Sequence, residues 1–265
     1  MKNTVCCLML VLYGLTARGQ QQPVVTLDYY YNNEFKKDKD GNTVRWHYIW
    51  GESDDGGLSV WGHIFDSLGV KRDSLLEAPT AANLRHTSIY MIIDPDTETE
   101  SPQPHFMDTG AAEVLYKWVK AGGVLVLMEN DSANAEFRHF NLLAEKFGIH
   151  FNGDSRNRVQ GRHWEQGAFL LPQGHEIFPT AGKVYIKELS SLTVKSPARA
   201  VFQDNGYTIM AVARVGKGTV FAVGDPWFYN EYVNGKRLPA EYRNYQAAAE
   251  LTTWLLKQMP KKKAL

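Results

Sequence analysis

Short apolar runs that each end at an acid constrain this chain more than any other feature. Ser88–Ile93 precedes Asp94, Val124–Met128 precedes Glu129, and Thr219–Val223 precedes Gly224 and Asp225. A further run, Pro23–Leu27, leads into Asp28. Runs of this length, rich in β-branched residues and bounded by turn formers, read as buried strands. Helical patterns lie between them. Leu58, Trp61, Ile64, Phe65 and Leu68 share one face, with Asp54 and Asp55 as expected caps. Thr109–Ala121 turns Ala111, Leu115, Trp118 and Val119 inward and stops at Gly122-Gly123, and Asn141–Phe147 ends at Gly148. Alternating strands and helices predict an α/β fold with a mainly parallel sheet covered on both faces.

After Phe147 the rhythm changes. Residues 150–182 read as an excursion from the sheet. Val184–Lys187, Ala198–Phe202, Tyr207–Arg214 and Thr219–Val223 then read as strands of an antiparallel extension, with Asn205-Gly206 a hairpin turn. Asn244–Gln258 closes the chain as a helix with Ala247, Leu251, Trp254 and Leu255 inward. The expected whole is a flavodoxin-like three-layer sandwich over residues 20–259, without repeats or linkers, followed by a basic tail at 260–265.

Residues 1–19 read as a secretory signal: Lys2, the apolar run Val5–Leu15, and Ala17-Arg18-Gly19 as the cleavage site. Export to the periplasm or medium is therefore expected, without a membrane anchor. Both cysteines, Cys6 and Cys7, fall inside that segment. The mature chain then has no disulfide, thiolate metal site or cysteine nucleophile. Loss of Lys2 and Arg18 turns a balance of 29 basic and 29 acidic residues into a slight acidic excess, which carries no nucleic-acid footprint. Lys261-Lys262-Lys263 reads as a solvated tail. No Gly-rich phosphate loop, G-x-S-x-G elbow or HExxH spacing is present, and no cofactor is expected.

Parallel strands bring their carboxyl ends to one edge, where ligands bind in open α/β sheets. Asp28, Asp94, Glu129 and Asp225 are thus the catalytic candidates, with Glu52 an outside one. Asp94, Asp96 and Glu129 form an alternative hard-cation set. Asn33, Trp50, Asn130, Trp227, Tyr229 and Asn230 offer the rings and amides of a sugar pocket. Arg158, Arg162 and His163 suit the carboxylate of an acidic sugar, since guanidinium forks match carboxylates. Each of these residues has a plainer reading as a turn, a cap or a surface ion pair.

The segments GDPWFYNEY (224–232) and Val184-Tyr185-Ile186-Lys187-Glu188-Leu189 resemble the class I glutamine-amidotransferase-like fold. Within it they resemble an exported branch of polysaccharide-degrading bacteria, associated with unsaturated rhamnogalacturonyl hydrolases. The chain departs from the amidotransferases at the nucleophile: the turn after Val124–Met128 offers Glu129 and Asn130 in place of cysteine, which removes glutaminase chemistry. The resemblance implies an exported accessory or carbohydrate-binding protein in the breakdown of acidic plant polysaccharide (rhamnogalacturonan or pectin oligosaccharides). Its partners would be an acidic oligosaccharide and a companion glycoside hydrolase. The alternatives are a carboxylate-dependent glycoside hydrolase and a non-catalytic scaffold for the companion enzyme.

Overall fold

The computed structural model describes residues 22–260. The expected signal segment (1–19) and Lys261-Lys262-Lys263 lie outside the described residues. The elements in order are β1 (Val24–Asp28), β2 (Phe35–Lys37), β3 (Thr43–Arg45), α1 (Ser59–Ser67), β4 (Lys71–Leu75), β5 (Ile89–Ile93), α2 (Thr109–Ala121), β6 (Val124–Met128) and α3 (Phe137–Ala144). There follow β7 (Ile149–Phe151), β8 (Ala168–Leu170), β9 (Lys183–Tyr185), β10 (Leu192–Val194), β11 (Ala198–Asp204), β12 (Tyr207–Val215), β13 (Gly218–Val223), α4 (Asn230–Val233) and α5 (Asn244–Gln258). Among the described residues no helix is long and apolar enough to cross a membrane.

The fold is α/β, built on one large mixed sheet in the order β4-β1-β5-β6-β13-β12-β10-β7, with β11 also on β12. The strands from β4 to β13 run parallel, and β12 turns the sheet antiparallel. Every residue of β5, β6 and β13 is buried. This is why their sequences are apolar without alternation: each face of a central parallel strand meets a helix layer. Ile89, Met91 and Ile93 point toward α1 and α5, while Tyr90 and Ile92 point toward α2 and α3.

Several expectations need correction. Thr219–Val223 belongs to β13, which pairs antiparallel with β12 but parallel with β6, so it joins the antiparallel extension to the parallel half in the middle of the sheet. Val184 lies in β9, which leaves the main sheet and pairs with β8. The edge strand β4 (KRDSL) is half-exposed and charged, so its sequence carries no apolar run to predict it. Helix α3 starts at Phe137, where the Glu136 side chain accepts the His139 and Phe140 N–H groups, and ends in a 3₁₀ turn at Glu145–Phe147. The Asn205-Gly206 hairpin forms as expected, with both residues at positive φ.

Neither Asp54 nor Asp55 caps α1. Its first turn is held by Asn230, far along the chain, whose Oδ1 accepts the Val60 N–H at 3.0 Å. Asn230 Nδ2 lies within 3.0 Å of the Glu52 and Asp54 carbonyls and the Ser59 hydroxyl. Asn230 is 1% exposed, so each of these groups depends on it in place of water. Asn230→Ala should cost about 2–4 kcal/mol, a lost cap plus buried groups left unpaired. Urea unfolding at neutral pH measures this, and a change below 1 kcal/mol would show the cap is dispensable.

Asp28 closes the other side of the sheet. Its Oδ1 accepts the Tyr30 and Tyr31 N–H groups at 3.0 and 2.6 Å, and its Oδ2 accepts the Tyr90 hydroxyl. Burial raises its pKa from 3.8 to about 6, against the opposing pull of these hydrogen bonds. The native state therefore keeps a proton that the unfolded chain has lost. The stability it contributes is full below pH 3.8 and is lost as pH rises through about 6. Asp28→Asn cannot titrate, so the fall in urea midpoint across that window should flatten. An unchanged slope would remove Asp28 as its source.

Candidate functional site

Beyond the carboxyl ends of β5, β6 and β13 lies a cleft of about 220 Å³, lined by His47, Tyr48, Asp94, Glu100, Asn130, Asn134, Lys187, Glu188, Asp225 and Tyr229. Register puts the acids there. Ile93 pairs with Met128, and Met128 with Val223, so the next residue on each strand leaves the sheet at one level. Asp94 and Glu129 continue the ladder, their N–H groups donating to the carbonyls of Met128 and Val223 at 2.8 and 3.0 Å.

Asp94 and Asp225 are 2% and 3% exposed, yet Asp94 Oδ1 and Asp225 Oδ2 have no hydrogen-bond partner among the described residues. Burial drives the pKa of each well above the ordinary carboxylate range. Glu100, Glu34 and Glu129 push Asp94 further up, while Lys187 pulls Asp225 down. Glu129, fully buried behind Asn130, is raised chiefly by burial. Its Oε2 accepts the Asn130 N–H at 3.3 Å. Lys187 reaches Glu188 at 3.0 Å, and the rings of Tyr48 and Tyr229 meet edge to face with centroids 5.6 Å apart.

The backbone is strained at the same place. His47, Tyr48, Asp94 and Glu188 lie in the left-handed region, with φ of 65°, 47°, 50° and 50°. Such conformations are uncommon for residues other than glycine, and in enzymes and clamps they gather at functional sites.

Of the residues singled out from sequence, the cleft brings together Asp94, Asp225, Asn130 and Tyr229, while Glu129 is fully buried and is not in its wall. It does not bring in Asp28, which is held in the hydrogen bonds described above. Glu52 is engaged with the His47 N–H and the Lys36 ammonium. Asn33 braces the loop, its N–H on Asp96 and its side chain on Arg45. Trp227 is wholly buried, Asn230 caps α1, and Trp50 packs on Phe65 and binds the Asp73 carbonyl. Arg158, Arg162 and His163 are exposed and line no part of the cleft. The hard-cation set of Asp94, Asp96 and Glu129 is not assembled. The donor atoms that gather within 4.8 Å of one another are those of Glu34, His47 and Asp94.

Sequence reasoning missed His47, Tyr48, Glu100, Asn134, Lys187 and Glu188 as site residues, and Glu34 beside them. Lys187 and Glu188 belong to the Val184–Leu189 segment that carries the resemblance. The His47-Tyr48 pair carries no local signal, because only the fold brings its loop over the strand ends. Larger hollows of about 550 and 560 Å³ lie along β4 and at the opposite ends of β1 and β5. The second has no carboxylate in its wall.

No family profile and no curated sequence matches the chain. Its fold is similar to that of the mmIFT52 N-terminal domain, with 19% identity over 91% of this chain and 100% of that one, at TM-score 0.64. The cytoplasmic protein STM1381 from Salmonella typhimurium LT2 is similar at 15% identity over 90% and 100% of the two chains, TM-score 0.58. Part of a beta-galactosidase from Rahnella sp. R3 is similar at 13% identity, over 91% of this chain and 32% of that one, TM-score 0.52. At such identities the likeness concerns the fold alone. The expected glutamine-amidotransferase-like fold is overturned, because the similar structures are of these other kinds. The residues that carried the resemblance have local structural duties: in GDPWFYNEY, Trp227 and Phe228 fill the core and Asn230 caps α1.

Proposed function

We propose that the cleft binds a single sugar-sized, polyhydroxylated ligand that is neutral or carries an amine. One observation carries the reading: Asp94 and Asp225, each with one buried carboxyl oxygen that lacks a partner, line a cleft that also holds Tyr48 and Tyr229. Hydroxyl groups donate to such oxygens, and tyrosine rings pack on the apolar faces of a pyranose. At about 220 Å³ the space is smaller than the roughly 300–1,000 Å³ typical of sites for drug-sized ligands, which suits one ring. The order β4-β1-β5-β6-β13 supports a flavodoxin-like reading of the parallel half, a layout whose ligands sit beyond the strand ends.

Charge separates this proposal from an acidic oligosaccharide. The wall carries the carboxyl groups of Asp94, Glu100, Glu188 and Asp225 and one lysine, Lys187, and the arginines that would hold a uronate lie outside. Export, expected from residues 1–19, is part of the proposal, since it would expose the cleft to free sugars. A scaffold for a companion hydrolase is less supported: the exposed large apolar residues Phe35, Leu68, Leu76, Leu142, Leu170, Tyr207 and Tyr245 come from several different parts of the chain. A carboxylate-dependent hydrolase is the second reading. Asp225 has Lys187 as well as Glu188 and Asp131 around it, while the charged neighbours that shift Asp94 are the acids Glu100, Glu34 and Glu129, and unlike surroundings are how paired carboxyls divide acid and base roles.

Calorimetry with glucose, galactose, mannose, rhamnose, glucosamine and galacturonate tests the proposal. Neutral or amino sugars should bind more tightly than galacturonate, and Asp225→Asn should weaken binding by about tenfold, the worth of one buried hydrogen bond. Tighter galacturonate would overturn the charge argument, and no heat from any sugar would end the sugar reading. Release of nitrophenol from aryl glycosides, lost in both Asp94→Asn and Asp225→Asn, would establish the hydrolase.

A further inference from the structure

At one wall of the cleft, Glu34, His47 and Asp94 each place a donor atom within 4.8 Å of the other two. The geometry points to a divalent transition-metal site, Zn²⁺ above all, held by one imidazole nitrogen and two carboxylates with its open positions toward the cleft.

The donor set decides the ion class. Calcium and magnesium take oxygen ligands, whereas an imidazole with carboxylates suits zinc and its neighbours. Three protein ligands leave a fourth position for water or a substrate oxygen. Ligands about 2.0–2.2 Å from a tetrahedral ion stand roughly 3.4 Å apart. The Glu34 Oε1 to His47 Nδ1 contact of 2.6 Å would open, and the widest separation, at most 4.8 Å, would close.

More than proximity supports the site. Glu34 is 6% and Asp94 2% exposed, and Asp94 Oδ1 is buried without a partner. The imidazole of His47 is stacked between Trp46 and Tyr48, with centroid distances of 4.7 and 3.9 Å. Glu52 accepts the His47 N–H at 2.9 Å and fixes the backbone below the ring. Gly56 leaves it room, since a Cβ there would stand 2.9 Å from the ring carbon Cδ2. Asn32 donates to the Asp94 carbonyl at 3.1 Å. Locked ligands held by outer hydrogen bonds are what metal sites need. The site shares Asp94 with the sugar proposal but is tested apart from it, because the metal is measured with no sugar present.

The test titrates the full chain with ZnCl₂, MnCl₂, MgCl₂ and CaCl₂ by calorimetry, with thermal melting to confirm folding. Zn²⁺ should bind once per chain and more tightly than Mg²⁺ or Ca²⁺. Glu34→Gln and Asp94→Asn should each weaken it at least about tenfold, since even loss of an outer-shell partner costs that much. His163→Ala, at an exposed surface pair, should leave it unchanged. Should either acid variant fail to fold, the unsubstituted protein still decides. Zn²⁺ must then shift the ring-nitrogen NMR signals of His47 and leave those of His63, His150 and His163 in place. Binding lost in His163→Ala, a preference for Ca²⁺ or Mg²⁺, or Zn²⁺ that leaves His47 unmoved would each overturn the site.

Discussion

The register of β5, β6 and β13 is the constraint on which the cleft depends. With Ile93, Met128 and Val223 side by side, three chain exits coincide, and whatever follows each strand must share one small space. A slip of one residue would reverse the faces of a strand and bury its exit acid in a helix layer. The wholly apolar strands resist that slip. Each of their faces fits a different helix pair, so the chemistry at the edge is anchored by packing some distance beneath it.

Gly224 makes the next step possible. A Cβ on it would stand 1.7 Å from the Ser190 carbonyl oxygen, and the Ser190 N–H donates to the Gly224 carbonyl at 3.0 Å. Only a glycine permits that approach. The crossing brings the segment before Ser190, with Lys187 and Glu188, over the end of β13 beside Asp225. Six residues after Gly224, Asn230 ties α1 and the loop at 52–59 to the same stretch. That loop in turn holds His47 through Glu52. One short segment therefore sets Asp225 directly and braces the opposite wall indirectly.

The central strands and the acids after them were legible because each is a local pattern: an apolar run, then a carboxylate. Asp94, Glu129 and Asp225 could be named from that alone. The direction of β13 was not legible, since a run that pairs antiparallel with β12 on one side and parallel with β6 on the other reads the same in either role. β4 was lost because an edge strand needs little apolar sequence. Glu34 leads into β2 and His47 and Tyr48 follow β3, so they reach the site from the base of that hairpin, whose position depends on contacts with Glu52 and Gly56, and no spacing rule encodes those. The aromatic cluster after Asp225 misled in the opposite sense. Rings adjacent in sequence to an acid need not face the same space: Trp227 and Phe228 turn into the core, and only Tyr229 reaches the cleft.

Strain and charge coincide in this cleft, and that coincidence argues for function over accident. Among the described residues six non-glycine positions adopt positive φ; two are asparagines, which tolerate it, and the other four all line the cleft. For His47, Tyr48 and Glu188 the conformation costs of order 1–3 kcal/mol each. Asp94, Glu129 and Asp225 add buried carboxyl oxygens without partners, which hydrophobic replacements would relieve. A fold loses stability by keeping both features, and the fully buried β5, β6 and β13 are where that loss is offset. Ligands that donate hydrogen bonds, or a cation, would satisfy the oxygens without moving the backbone. The arrangement thus trades stability in the free protein for groups already aimed at what they bind, so that less remains to be reorganised on binding.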